Sequence, residues 1–267
     1  MSAEAEAAKE ESYYRQSCGG AEFFARYGAG ILKPALALAL RRADVKAGQS
    51  ALDAGCGRGE LLHQLRTRGV LAVGADFAVA ALSLAAKTSK APVVRADARR
   101  LPFKDSLFDR IFFLGVVDHL PDEDLECCLR EFRRLLRPGG LVLLSTCVNT
   151  DYHKRLTYRL RKTVARLLRL REPSAPRSAE DEALHVNEHN ESGLRRALEA
   201  AGWDHEIEPR PNDKYAIDEL YPGERPADFP LKRPSALKLF WHRAAFRGPW
   251  KRLLARELFC RAWPKNP

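Results

Sequence analysis

Leu52-Asp53-Ala54-Gly55-Cys56-Gly57-Arg58-Gly59 decides how the rest of the chain is read. A short apolar run, Ser50 to Asp53, enters a turn with glycine at alternate positions and leaves it into Glu60 to Arg68, which is patterned as a helix and stopped by Gly69. Glycines in such a turn let a ligand come close to the main chain. Outward from this turn the same rhythm repeats. Val70–Asp76, Val93–Asp97, Arg110–Gly115 and Leu141–Thr146 read as further strands, and Val79–Lys87 as a helix. Asp122 is placed to cap another helix, with Leu125, Leu129, Phe132 and Leu136 at helical spacing and Pro138-Gly139-Gly140 as its end. Alternating strands and helices predict a mostly parallel, doubly wound α/β sheet with helices on both faces, whose ligands bind at the carboxyl ends of the strands.

The flanks differ from this core. Tyr13 to Ala43 reads as helical with a turn near Gly28–Gly30. After Thr146, Asp151–Leu170 is patterned as a basic amphipathic helix and Glu172–Asp181 as a loop. Ser192–Ala201 reads as a helix capped by Asn190 or Ser192, and Asp204–Glu208 as a strand. Lys214–Trp250 reads as irregular, and Leu258–Trp263 as a last strand that slots in antiparallel at the sheet edge.

Three acids stand at consecutive strand ends: Asp53, Asp76 (23 residues further on) and Asp97. A carboxylate after the second strand can accept from both hydroxyls of a ribose, and one after the third can accept from an exocyclic amine such as adenine's. A dinucleotide fingerprint has a similar layout but asks for glycine where this chain has Glu60, and a pyrophosphate disfavours a carboxylate at the helix start. These residues speak against an NAD-dependent oxidoreductase.

The stretch Leu52–Gly59 resembles the first motif of class I S-adenosylmethionine-dependent methyltransferases (methyltransferase type 11-like domains). Asp97 with Leu101-Pro102-Phe103 and Ser106-Leu107-Phe108-Asp109, Leu136-Arg137-Pro138-Gly139-Gly140, and Glu199-Ala200-Ala201-Gly202-Trp203 are similar to later landmarks of that family. The resemblance is good over 45–148, moderate over 185–204 and weak over 150–184 and 210–255. It implies a Rossmann-like seven-stranded sheet with its last strand antiparallel, and helical insertions after strand five and before the last strand. It implies S-adenosyl-L-methionine as cofactor. Gly55, Cys56 and Gly57 would then lie under its methionine part and Asp53 would help hold its ammonium. Asp76 would bind the ribose and Phe77 would pack beside the adenine. Asp97 and Ala98 would meet the adenine edge, and Leu114 and Gly115 would line the floor. Residues 1–44 would be an N-terminal helical cap on a methyltransferase domain spanning 45–267, with 150–190 and 213–255 as substrate-side insertions.

The donor of such an enzyme is already an activated sulfonium, so the protein's task is alignment, worth on the order of 7–11 kcal/mol. An oxygen acceptor additionally calls for a general base. Candidates are His119, in Asp118-His119 after the fourth strand, and His153, which follows the fifth strand with Asn149 and Asp151. His185-Val186-Asn187-Glu188-His189 spells H-x-x-E-H, but it precedes a helix instead of lying on one, so a substrate-facing or latch role is expected of it and no metal site. The six cysteines form no C-x-x-C pair and read as reduced, mostly buried thiols.

The net charge of +10 is uneven: residues 1–150 carry 21 Lys+Arg against 18 Asp+Glu, and residues 151–267 carry 24 against 17. Lys154–Arg171 has eight basic residues and no acid, and Leu231–Pro267 has ten and one, Glu257. In the first segment Leu156, Leu160, Val164, Leu167 and Leu168 make one stripe, which either packs on the body or faces a partner. In the second, Phe240, Trp241, Phe246 and Trp250 stand among the basic residues, as in interfacial helices or base-stacking surfaces. The expected acceptor is a small or lipid-linked, anionic molecule, O- or N-methylated, with peripheral contact to an anionic membrane surface. A tRNA or rRNA acceptor and a non-catalytic cofactor-binding partner protein are the rival readings. The acidic N-terminus and the lack of a long apolar run predict a cytoplasmic protein with no transmembrane segment.

Overall fold

Seven strands form one sheet in the order β3-β2-β1-β4-β5-β7-β6: β1 (Ser50–Ala54), β2 (Leu71–Asp76), β3 (Val93–Arg95), β4 (Phe108–Leu114), β5 (Leu136–Thr146), β6 (Trp203–Arg210) and β7 (Glu257–Pro264). β1 to β5 pair in parallel, and β7 lies antiparallel between β5 and β6. The sheet is thus the Rossmann-like, mostly parallel one expected, with its last strand reversed; that strand lies inside the sheet and not at its edge, because β6 pairs along its outer side. The computed structural model describes residues 12–146, 150–152, 157–173, 186–223, 225–248 and 250–265.

The central strands are buried on both faces, which is why they read as continuous apolar runs. On one face the helices Asp122–Leu135 and Glu191–Ala200 cover Leu52, Ile111, Phe113, Leu144 and Leu258. On the other, Pro34–Arg42 and Glu60–Thr67 cover Ala51, Phe112, Leu143 and Phe259. Alternate residues along each strand therefore belong to opposite cores. The F-D pair of the sequence serves this frame: Asp109 accepts from the Ser50 amide and hydroxyl (2.8 Å each) and from Arg137 (2.8 Å). It ties the entrances of β1, β4 and β5 together.

Three elements differ from the sequence reading. Pro138-Gly139-Gly140 lies inside β5, because the helix before it already ends at Leu135 and the strand opens with Leu136 opposite Phe108, then shifts register to Leu141 opposite Arg110. Asp122 is the first helical residue and caps nothing; its carboxylate accepts from Asn187 Nδ2 at 2.7 Å. Lys214–Trp250 contains two helices, Ile217–Leu220 and Ala236–Arg247. Asn190 is confirmed as a cap, accepting from the Gly193 amide at 2.8 Å.

Candidate active site

The carboxyl ends of β1, β2 and β4 meet at the glycine turn. Gly57 and Gly59 both have positive φ (50° and 81°), for different reasons. A Cβ on Gly59 would stand 2.7 Å from Ala85 Cα and 2.9 Å from its carbonyl oxygen, so this glycine lets the helices Glu60–Thr67 and Val79–Ser89 touch. A Cβ on Gly57 would meet nothing within 4 Å, so this glycine opens onto space at the strand ends. Gly55 sits against Val116, and its amide donates to Ala75 O (2.7 Å). Cys56 is turned inward, its sulfur packed toward Gly74, so only its backbone lies along the turn; burial pushes its thiol far up.

Asp53 is 4 % exposed, and among the described residues it accepts no hydrogen bond. Burial, with Glu60 and Asp76 nearby, pushes its carboxyl up to about 8; Lys33 opposes the shift. A buried carboxyl without donors is costly unless a cation reaches it. Asp76 is held by its own surroundings: Oδ2 accepts from the Gly57 amide and Oδ1 from the Ala78 amide, both at 3.0 Å. Beside it Phe77 is 73 % exposed, a bare ring at the sheet rim. Asp97 is already engaged: its oxygens accept from Arg99, which also reaches Asp124, and this holds its carboxyl below the usual range. Ala98 packs against the core beneath. Leu114 ends β4, and the Gly115 amide donates to Ser145 Oγ and O (3.2 and 3.3 Å), closing the floor between β4 and β5.

Two basic residues, Arg58 in the turn and Lys33 ahead of the helix Pro34–Arg42, have roles that no spacing rule announced. Arg58 is 3 % exposed and pairs with the buried Glu60 at 2.8 Å. Its other nitrogens donate to the carbonyls of Tyr14, Cys18 and Gly19 (2.8, 3.2 and 3.0 Å). Arg58 therefore neutralises the carboxylate at the helix start and binds the N-terminal segment across the glycine turn. Lys33 donates to the Gly19 carbonyl at 3.0 Å from the same side. Both were visible only as ordinary basic residues.

His119 lies half-buried on the short turn Val117–His119 after β4. His153 and His185 fall outside the described residues. The described remainder of the H-x-x-E-H stretch is tied beside the turn after β4: the Asn187 amide donates to Asp118 O (3.1 Å), and buried His189 stands 3.9 Å from Asp122, its basicity lowered by burial. Among the described residues no group of three or more His, Cys, Asp or Glu is placed to hold a metal ion.

A seven-stranded sheet of this order, with a glycine turn and acids at consecutive strand ends, defines a class I methyltransferase. Residues 52–144 match a family model described as a methyltransferase domain. Demethylmenaquinone methyltransferase of Mycobacterium sp. (strain JLS) is 34 % identical over 168 residues, covering 58 % of this chain and 68 % of that protein. Methyltransferase GfsG of Streptomyces halstedii is 36 % identical over 115 residues, covering 40 % and 41 %. The methyltransferase of a complex with the Trm112 activator of Haloferax volcanii has the same fold, with a TM-score of 0.59, 17 % identity and coverage of 97 % of this chain and 98 % of that one. Phosphoethanolamine N-methyltransferase 2 of Haemonchus contortus, in complex with S-adenosyl-L-methionine, superposes with a TM-score of 0.58 at 17 % identity, covering 96 % and 60 %. The chain belongs to this methyltransferase family, and its cofactor is S-adenosyl-L-methionine. The site fits that group: a cation-seeking Asp53, an open space at Gly57 and a bare Phe77 ring are available to its ammonium, its methionine chain and its adenine.

Proposed function

We propose that this methyltransferase acts on a lipid-linked small molecule that it meets at an anionic membrane surface. One observation carries the reading. Of the thirteen large apolar side chains exposed among the described residues, nine lie in 160–170 and 237–250: Leu160, Val164, Leu167, Leu168 and Leu170, then Leu237, Phe240, Trp241 and Trp250. The leucine stripe of helix Tyr158–Leu167 does not pack on the body; only Ala165 of that helix is buried. Exposed apolar side chains interleaved with Arg159, Arg161, Lys162, Lys238, Arg243 and Arg247 suit insertion among lipid headgroups. Both segments flank the carboxyl edge of the sheet. Arg161 and Arg256 each act on the Tyr152 hydroxyl, and His242 stacks on Tyr215 at 3.7 Å. No helix of the described residues is long and apolar enough to cross a membrane. A relative named for demethylmenaquinone supports a lipid-linked acceptor.

In this reading residues 1–44 are a cap over the cofactor, and 150–190 and 213–255 are acceptor-side insertions of a domain running from 45 to 267. Asp53 holds the cofactor's ammonium, Asp76 its ribose, and Phe77, Asp97 and Ala98 its adenine, while Gly55, Gly57, Leu114 and Gly115 shape the cradle. The bound cofactor supplies an electrophilic methyl on a sulfonium. The chain's own contribution is to align acceptor and methyl and to exclude water. His119 stands at the mouth as an acceptor-side residue.

Two measurements test the proposal. The protein should co-sediment with vesicles containing phosphatidylglycerol and not with purely phosphatidylcholine vesicles, and Phe240→Glu with Trp241→Glu should abolish the difference. Methyl-labelled cofactor should then label the lipid fraction of a cell extract. Label in RNA with no vesicle preference would replace the lipid reading with a nucleic-acid one.

A further inference from the structure

Register pairs Asp76 with Arg95, so Phe77 and Asp97 leave the sheet from neighbouring strands, and the Asp97 carboxylate is gripped by one side chain. Arg99 lays its fork across both oxygens: Nε stands 3.0 Å from Oδ1 and from Oδ2, and Nη2 stands 2.5 Å from Oδ2. The Arg99 amide also donates to Oδ1 at 2.9 Å, closing a local turn on the same carboxylate. The far end of the guanidinium is anchored in its turn, Nη1 donating to Asp124 Oδ1 at 2.9 Å in the first turn of the helix Asp122–Leu135. One cation thus lies between two carboxylates, and the trio keeps a net negative charge. The Arg99 and Asp97 side chains are 45 % and 48 % exposed, and ion pairs so open to water add little to stability. What the fork does fix is the direction of the carboxylate. A carboxylate has about four acceptor positions, and with Asp97 still half open to solvent some of that capacity remains for a ligand. Arg95, two residues before Asp97, donates elsewhere, from Nε to the Phe77 carbonyl at 3.2 Å.

We propose that Arg99 is a positioning residue for the cofactor's purine: it holds Asp97 as a fixed acceptor for the exocyclic amine and so selects a 6-aminopurine over a 6-oxopurine. This rests on the reading above, in which Asp97 meets the adenine, and adds the residue that acts through it. A free aspartate on a turn would have to be oriented at the moment of binding. One already held at both oxygens loses less freedom when the amine arrives. A 6-oxo base brings an oxygen against a carboxylate that cannot swing away, and the two repel. Asp124 matters for the sign of the effect. Because Arg99 is shared between two acids, Asp97 is not neutralised and can still accept. The Arg99 hydrogen bonds also hold the Asp97 carboxyl below the usual range, so the acceptor stays ionised throughout the neutral range. Lysine is no substitute here, since an ammonium is a point charge without a fork.

The test is calorimetric titration of the full-length protein at pH 7 with S-adenosylhomocysteine and with S-inosylhomocysteine, which carries an oxygen in place of the amine. The readout is the ratio of the two dissociation constants, a quantity that a general loosening of the fold leaves alone. The parent should favour the amine. Arg99→Ala should shrink that preference by about tenfold, the value of a hydrogen bond to a well-placed charged acceptor. Arg99→Lys keeps the charge without the fork and should restore no more than a small part of it. Arg95→Ala removes an equal charge nearby without touching Asp97 and should leave the ratio within about threefold of the parent. Any discrimination made by the Ala98 main chain is common to all four proteins and cancels in the comparison. A ratio unchanged or enlarged in Arg99→Ala would make Arg99 a bystander or a competitor for Asp97 and overturn the assignment. Full recovery in Arg99→Lys, or an equal loss in Arg95→Ala, would overturn it too, by showing that charge alone suffices. A parent without any preference would remove the adenine role of Asp97 together with the proposal, and failure to bind S-adenosylhomocysteine at all would strike at the methyltransferase site itself.

Discussion

Alanine at Gly59 and alanine at Gly57 add the same methyl group to the same turn, and the two should separate folding from binding. At Gly59 the backbone is left-handed, which costs a side chain about 1–2 kcal/mol. The new Cβ also stands 2.7 Å from Ala85 Cα and 2.9 Å from the Ala85 carbonyl oxygen, neither of which can swing away as a flexible side chain could. Overpacking of this kind costs a further ~1–3 kcal/mol. A total near 3 kcal/mol corresponds to a fall in Tm of about 6–12 °C for a chain of this size. At Gly57 the left-handed term of about 1–2 kcal/mol stands alone, since a Cβ there meets nothing within 4 Å, and the drop should be about 2–8 °C, smaller than at Gly59. That Cβ would, however, point into the space assigned to the cofactor, and loss of roughly 1.4 kcal/mol of contact is a tenfold weaker Kd. Thermal unfolding of the free protein and calorimetric titration with S-adenosylhomocysteine read the two effects apart. Equal Tm shifts, or a Gly57→Ala protein that binds as tightly as the parent, would refute the division of labour between the two glycines.

Three further outcomes follow from the same site. The Asp53 carboxyl, raised to about 8 in the folded protein, favours the fold below the ordinary carboxylate pKa near 4 and loses that contribution as the pH rises through 8. The free protein should thus lose stability across that interval, Asp53→Asn should flatten the loss, and S-adenosylhomocysteine binding at pH 7 should release close to one proton, read by calorimetry in buffers of different ionisation heat. Arg58→Ala leaves Glu60 buried without its partner and frees three carbonyls of the N-terminal segment, at a cost of about 3–5 kcal/mol; hydrogen exchange should quicken over 13–19, and unaltered protection there would count against the clamp. Glu131 accepts from the Leu101 amide at 2.7 Å and from Arg134, which holds its carboxyl below the usual range, so its contribution is present above pH 4 and lost on further acidification; Glu131→Gln should cost ~1–2 kcal/mol at pH 7 and less at pH 3 by urea unfolding.

The order of strands and helices up to Thr146 was legible because each is a local pattern: period two against period 3.6, punctuated by glycine and proline. The strand-end acids were legible for a related reason, since a parallel sheet with right-handed crossovers brings successive strand ends to one edge. The leucine stripe of 156–168 shows the limit of that logic. Its spacing fits a packed helix and an exposed one equally well, and only the position of the body beside it decided that Leu160, Val164, Leu167 and Leu168 face solvent. Glu60 is similar: the sequence marks it as a charge unfavourable to a pyrophosphate, whereas the folded chain cancels that charge with Arg58.

By itself the sequence determined the fold class, because the alternation of strands and helices follows from short-range periodicity, while the reversed last strand was legible only through the resemblance carried by the glycine turn and the later motifs. Tertiary structure alone decided that Lys33 comes near Asp53 and that Arg58 is taken by Glu60 and by the carbonyls of Tyr14, Cys18 and Gly19. These residues come from separate segments, and nothing in local spacing encodes the sheet order that places β7 between β5 and β6. Long-range pairing is fixed by the burial of whole faces, and that physical sum cannot be read at any single position.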